Sequence, residues 1–261
     1  MLTTLASYRV LAGNLTRSLE TTAAKPQVAR ESAYYLDNIG KAKSIDAFLA
    51  DDRIFAFAMK AFGLGDMTYA KAFMRKVLTE GVDKPDSFAN SLADRRYREF
   101  AEAFNFARYG ESATLFDRTR QGTVDRYVRQ TLEEDAGSEN EGVRLALYFQ
   151  RNASSITSAY SILGDPALLK VVQTALGLAP ATSAVDVDRQ AQMITARLDL
   201  DDLKDPGKLD KFLTRFASLW ELENPTTSAA ASASAVLFAQ PLEAGIGGDL
   251  LASLQNLRLG G

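Results

Sequence analysis

Apolar residues recur at three- and four-residue spacing along most of this chain, the period of an amphipathic helix. In LADDRIFAFAMKAFGL, Leu49 to Leu64, the residues Ile54, Phe55, Ala58, Met59 and Phe62 fall on one helical stripe. Asp51 or Asp52 can cap its start, because a short carboxylate accepts hydrogen bonds from the unpaired N–H groups of a first turn. Gly63 supplies a left-handed residue and Leu64 a fold back onto the last turn, a Schellman stop. LGDPALLKVVQTALGL, Leu163 to Leu178, uses the same devices. There Asp165 caps, Pro166 takes the first helical position and Gly177-Leu178 ends the helix.

A shift of 114 residues lays Arg30 to Leu64 on Arg144 to Leu178 without a gap. Arg30, Tyr34, Asn38, Ser44, Leu49, Asp51, Ala61, Gly63 and Leu64 all meet identical residues. Tyr35 meets Phe149, Phe48 meets Ile162, Ile54 meets Leu168 and Phe62 meets Leu176. The likeness continues loosely, with Asp83-Lys84-Pro85 against Asp205-Pro206 and REFAEAFNF (98–106) against TRFASLWEL (214–222). Two origins fit this pattern. One is duplication of a four-helix unit, since one unit cannot bury its apolar faces alone and two stacked units can. The other is convergence of similar amphipathic helices.

The periodicity predicts helices over 3–22, Gln27 to Ala42, Ile45 to Leu49, Asp52 to Phe62, Thr68 to Glu80 and Asp86 to Phe106, the last broken near Asp94. Gly110 reads as a stop, Thr114 to Glu134 as a connecting helix kinked at Gly122, and AGSENEG (136–142) as a polar turn. No stretch alternates with period two, so no sheet is expected. The expected fold is all-α: a multihelical array of two similar four-helix units joined by a connecting helix, with amphipathic terminal helices. The divisions are 1–25 for the N-terminal amphipathic helix, 26–110 for unit 1, 111–141 for the connecting helix and turn, and 142–223 for unit 2. The last, 224–261, is an Ala/Ser-rich linker followed by a C-terminal amphipathic helix.

Both ends are poor in charge. Residues 1–25 carry only Arg9, Arg17, Glu20 and Lys25, and 224–261 only Glu243, Asp249 and Arg258. Leu5, Tyr8, Leu11, Leu15 and Leu19 line one helical face, and Leu250, Leu251, Leu254 and Leu257 line another behind Asp249. TTSAAASASA between them reads as a flexible linker or a loosely helical strap. Exposed apolar stripes need a partner. Either these nine side chains are partner-binding residues, or the ends strap onto the chain's own core.

Composition narrows the chemistry. The chain of 261 residues is 46% hydrophobic and 24% charged, with a formal net charge of -3. It can bury a large core and lacks the concentrated basic surface that nucleic acid needs. Arg95, Arg96 and Arg98, and also Arg126 and Arg129, lie among acids and read as solvated helix faces. There is no Cys and no His, which removes disulfides, thiol nucleophiles, the commonest metal ligands and the commonest general base. The start lacks the pattern of a secretory signal, and no apolar run is long enough to span a bilayer, so no membrane insertion is expected. The paired acids Asp51/Asp52, Glu133/Glu134 and Asp201/Asp202 read as caps or dipole partners. GIGGD (245–249) reads as a turn, because it lacks the Lys-Ser/Thr of a phosphate loop. Tyr34, Tyr35, Tyr148 and Phe149 read as core, as does Trp220, which sits where the first unit has Phe104. No catalytic, cofactor-binding or metal-binding residue and no cofactor is assigned, and the chain is not expected to be an enzyme.

The strings SIDAFLADDRIFAFAMKAFGL, FMRKVLTEGV, SFANSLADRRYREFAEAFNF and GVRLALYFQRNASSI resemble a bacterial family of all-helical proteins of unknown function, often encoded among flagellar genes. The resemblance runs from about Glu31 to Leu222, and DRRYREFAEAFNF (94–106) is its most specific part. It implies a multihelical fold and a link to the flagellum. Axial flagellar proteins pack low-charge terminal helices together and are exported without a cleaved signal, and the ends of this chain suit both habits. Its helical middle departs from the β-built rod and hook proteins. The expectation is a non-catalytic flagellum-associated structural or assembly protein, made in the cytoplasm and placed at the basal body, rod or hook region. Its partners would be flagellar proteins or a second copy of itself. The alternative is a cytoplasmic helical adaptor or chaperone-like protein unrelated to export.

Overall fold

A computed structural model describes residues 3–225; the tract that follows, with Leu250, Leu251, Leu254 and Leu257, lies outside the described residues. Among the described residues there are fifteen α-helices, six short 3-10 turns and no strand. The first nine helices are α1 (Thr4–Gly13), α2 (Leu15–Ala23), α3 (Pro26–Ile39), α4 (Ile45–Ala50), α5 (Asp52–Ala61), α6 (Lys71–Glu80), α7 (Phe88–Ser91), α8 (Arg95–Ala103) and α9 (Phe106–Tyr109). A long helix, α10 (Gln121–Glu139), leads to α11 (Glu141–Asn152), α12 (Ala159–Leu163), α13 (Pro166–Leu176), α14 (Val187–Thr195) and α15 (Pro206–Glu223).

The foreseen cap and stop devices are in place. Asp51 accepts from the amides of Arg53 and Ile54 at 3.0 and 3.1 Å, and Asp165 from those of Ala167 and Leu168 at 2.8 and 3.1 Å. Gly63 and Gly177 adopt φ of 70° and 63°, a region that an L side chain enters only with strain. Behind each glycine, Leu64 and Leu178 donate to the carbonyls of Met59 and Gln173, both at 2.8 Å, closing the Schellman turns.

Several boundaries differ from the periodicity. The first predicted helix is two helices, broken at Asn14, whose side chain accepts from Arg17 N at 3.2 Å and so starts a new helix instead of continuing the old one. The connecting helix starts at Gln121, not Thr114. Thr119 Oγ1 bonds the carbonyls of Ala113 and Phe116, and its own carbonyl accepts from Tyr35 Oη at 2.6 Å, which holds 110–119 in 3-10 turns. Gly122 therefore lies in the first turn of α10 and not at a kink. The polar turn 136–142 shrinks to Asn140, an extended residue that caps α11 by accepting from Gly142 N and Val143 N at 2.9 and 3.3 Å. The segment 86–106 breaks at Asp94 as its sequence suggests and again at Asn105, each of which caps the helix after it.

Two hydrophobic cores organise the helices. The first is aromatic: Phe48 stacks on Phe104 at 4.9 Å, and Tyr35, Phe57 and Tyr127 form a continuous stack at 4.4 and 3.9 Å. The second is mainly aliphatic, built on Leu147, Val171, Val172 and Leu213, with Phe149, Phe216 and Trp220 beside them. Helix α10 belongs to both. Val124, Tyr127 and Val128 enter the first core, and Ala136 packs against the second.

Candidate functional site

The expected partner-binding residues of the N-terminal stripe divide between the two cores. Tyr8 is buried in the second core and Leu11 packs against it, whereas Leu19, beyond the break at Asn14, packs against the first. Leu5 and Leu15 are half-buried. Helix α1 therefore straps onto the second half of the chain, against α11 and α15. The C-terminal members of the stripe lie outside the described residues.

The strap is locked at a junction that periodicity does not reveal. Thr4, wholly buried, donates its amide to Glu221 Oε2 at 2.9 Å, and its hydroxyl also donates to that oxygen. Asn140 Nδ2 donates to Thr4 Oγ1 at 3.0 Å while its Oδ1 caps α11. The Glu221 carboxylate thus sits at the positive N-terminal end of α1, where a helix favours negative charge. Gly142 closes the junction. A Cβ there would lie 2.4 Å from Trp220 Cδ1 and 2.8 Å from Thr4 Cγ2. The first turn of α11, the end of α15 and the start of α1 touch backbone to side chain. Further along the strap, burial and the nearby Asp210 carboxylate push the Tyr8 hydroxyl up to about 12. The start of α1 and the end of α15 therefore lie side by side.

A second feature is a charge-lined groove of about 790 Å³, lined by the turn after α5 with α8 and α10, and by α11, α12, α13 and Trp220 of α15. Its charges are largely spent on one another. Arg96 bonds Asp94 and the Gly63 carbonyl, Arg144 pairs with Glu141, and Arg126 lies 3.7 Å from Glu99. Tyr148 Oη donates to Asp165 at 2.7 Å, and burial, with that carboxylate next in weight, raises its pKa.

Beneath the groove, Glu133 is 1% exposed and bridges two guanidiniums, Arg129 Nε and Arg151 Nη2, each at 2.8 Å. Arg129 is itself buried and donates to the Leu147 carbonyl at 2.9 Å. These findings correct the reading of Arg129 as a solvated face and of Glu133 as a cap or dipole partner. An i,i+4 pair can be buried when a third group, here Arg151 from the next helix, completes its charge and hydrogen bonds. Arg95, Arg98 and Arg126 are exposed, in line with the solvated-face reading. Tyr35 and Phe149 are fully buried core, while Tyr34 is half-buried with the Arg53 guanidinium 3.7 Å above its ring.

Comparison with known proteins adds kinship without an activity. The chain is similar to protein AGR_C_984 from Agrobacterium tumefaciens, known from an X-ray crystal structure. The two are 48% identical over 85% of this chain and 94% of that one, with a TM-score of 0.80. No curated protein matches the chain. The family model for proteins of unknown function DUF1217 matches residues 61–209. That span covers α6 to α14 and more than half of the chain. The chain belongs to the DUF1217 family.

Proposed function

We propose that this protein is a non-catalytic structural or assembly component that works through protein–protein contacts at its terminal segments, in association with the bacterial flagellum. The observation that carries the reading is the junction of Thr4 with Glu221. It places the start of the low-charge helix α1 beside the end of α15. Partners that grip both ends at once would gain from that pre-arrangement, because ordering costs are already met. The flagellar association rests on the family resemblance and on the character of the ends.

The fold reading within this proposal is a duplication. It is supported by helices α3, α4, α5 and α6, which fall within a few residues of α11, α12, α13 and α14 after the 114-residue shift. It is also supported by Asn38 and Asn152, each donating from Nδ2 to the carbonyl four residues back, at 2.7 and 2.9 Å. Ser44 and Ser158 both cap the next helix.

The second reading, a cytoplasmic adaptor unrelated to export, is favoured by the occupation of the Tyr8 and Leu11 face within the chain itself. Cell fractionation separates the two. The chain is followed by mass spectrometry in cytoplasm, purified flagella with basal bodies, and medium, with an export-deficient strain beside the wild type. Enrichment with flagella supports the first reading. A cytoplasmic pool alone, with normal swimming in a deletion strain, overturns it in favour of the second.

A further inference from the structure

We propose that α1 is an exchangeable element: it opens at Gly13–Asn14 and seats on α11 and α15 of a second copy of this chain, giving a reciprocally strapped dimer. The proposal goes beyond the flagellar reading and does not depend on it.

Three observations support it. First, α1 and α2 are attached to different bodies. Tyr8 and Leu11 join only the second core, and Leu19 and Ala23 only the first. Detaching α1 therefore leaves α2 and the first core intact. Second, the connection between them is a single residue, Asn14, and the backbone groups around it can be satisfied in two ways. In the bent form Asn14 Oδ1 accepts from Arg17 N at 3.2 Å, and Ser18 Oγ donates to the Leu11 carbonyl at 3.2 Å. In a straight helix the Gly13 carbonyl would take the Arg17 amide and the Leu15 amide would reach the Leu11 carbonyl, the ordinary i to i−4 pattern. Bent and straight forms thus satisfy the same Arg17 amide and Leu11 carbonyl, and neither strands a buried group. Gly13 has nothing within 4 Å of a would-be Cβ, so the bend has open space on that side. Third, the chain contains a straight counterpart. Helices α1 and α2 span 4–23 with one break, while α10 runs from Gln121 to Glu139 without one and crosses from the first core to the second. A straightened α1–α2 would do what α10 does, with a second copy supplying the far core. The exchanged contacts are those of the closed form, so dimerisation needs no new surface, the usual low-cost route of domain swapping.

The test uses full-length chains and exploits the absence of cysteine. Arg9 and Asp210 are exposed and line one surface hollow between α1 and α15. Chains carrying Arg9→Cys are mixed with chains carrying Asp210→Cys, incubated over a range of concentrations, and treated with a short bismaleimide. A mixed cross-linked dimer that grows with concentration is expected, without dimers of either variant alone. Gly13→Ala with Asn14→Leu, which favours the straight helix, should raise that product several-fold. Leu15→Pro, allowed at a first helical position but unable to continue α1, should abolish it. A Gly-Ser insertion between Gly13 and Asn14 should abolish it as well, should the proline variant fail to fold. Cross-linking seen only within a doubly substituted chain overturns the exchange, as does a dimer in which the two introduced thiols never join. Either result leaves the paired-ends reading standing, because the strap then closes within one chain.

Discussion

Replacing Gly142 with alanine tests whether the junction of α1, α11 and α15 is as tight as its geometry. On propensity alone the change should help, since glycine inside a helix costs about 0.5–1 kcal/mol relative to alanine. Packing opposes it. The new Cβ would stand 2.4 Å from Trp220 Cδ1, 2.6 Å from Trp220 Nε1 and 2.8 Å from Thr4 Cγ2. Ordinary carbon contacts lie at about 3.5–4.0 Å, so a shift of roughly 1 Å is required. Trp220 cannot rotate freely, because it packs against Phe216 at 5.8 Å and beneath Lys170. Overfilling of this kind costs typically about 1–3 kcal/mol, which exceeds the propensity gain. Gly142→Ala should therefore destabilise by about 1–2 kcal/mol, a net of these two terms. Relief requires Trp220 of α15 to shift, and the space beside it is held by Thr4, so the start of α1 is displaced with it. Urea unfolding measures the first effect, and hydrogen exchange at the amides of α1 measures the second. Trp220→Leu should rescue the alanine variant in part, so that the double substitution costs less than the sum of the two singles. An alanine variant as stable as the parent, with α1 amides unchanged, would refute the reasoning.

Glu133→Gln should destabilise by roughly 3–5 kcal/mol, because it leaves the buried Arg129 and the half-buried Arg151 without their shared counter-charge; chemical denaturation reads this directly. Asp51→Ala and Asp165→Ala should each cost about 1 kcal/mol for a lost cap. Asp165→Ala should cost more, because it also strands the Tyr148 hydroxyl; a larger loss at Asp51 in thermal unfolding contradicts this. Tyr8 titrates in the folded chain at about 12 against an ordinary tyrosine value of 10.0, so folding favours its neutral form. The stability it lends is complete below pH 10 and is lost as pH rises toward 12. An alkaline stability profile should therefore fall over that window and fall less steeply for Tyr8→Phe.

Much of this fold is legible in the sequence because its signals are local. Asp51, Gly63, Asp165 and Gly177 act on the first or last turn of their own helix, where type and spacing determine the outcome. The misread places are those where a side chain competes with the backbone or answers to a distant partner. Asn14 looks like an ordinary residue inside a periodic run, yet its carboxamide caps the following helix better than it continues the preceding one. Thr119 holds 3-10 turns because Tyr35, far away in sequence, needs its carbonyl. Arg129 looks solvated and Glu133 looks like a dipole partner until Arg151 arrives from the next helix. The junction of Thr4, Asn140, Gly142 and Glu221 joins three separate segments. Its one sequence trace is an asparagine cap followed two residues on by glycine in the first turn of α11. Periodicity identifies the strap as an apolar stripe but does not say which surface it covers.

The measurement that tests the account most directly is hydrogen exchange along the full chain, resolved by mass spectrometry. The central claim is that α1 is held on the second core through Thr4, Tyr8 and Leu11, so that the start of α1 and the end of α15 are brought together. It predicts that amides over Tyr8–Gly13 exchange far more slowly than those of the exposed residues Gly65 and Asp66, approaching the protection of α15. It also predicts that Thr4→Ala, which removes the hydroxyl shared with Asn140 and Glu221, speeds exchange in α1 while leaving α5 and α13 unchanged. Rapid exchange throughout α1 in the unaltered chain would contradict this and leave α1 unjoined to α15.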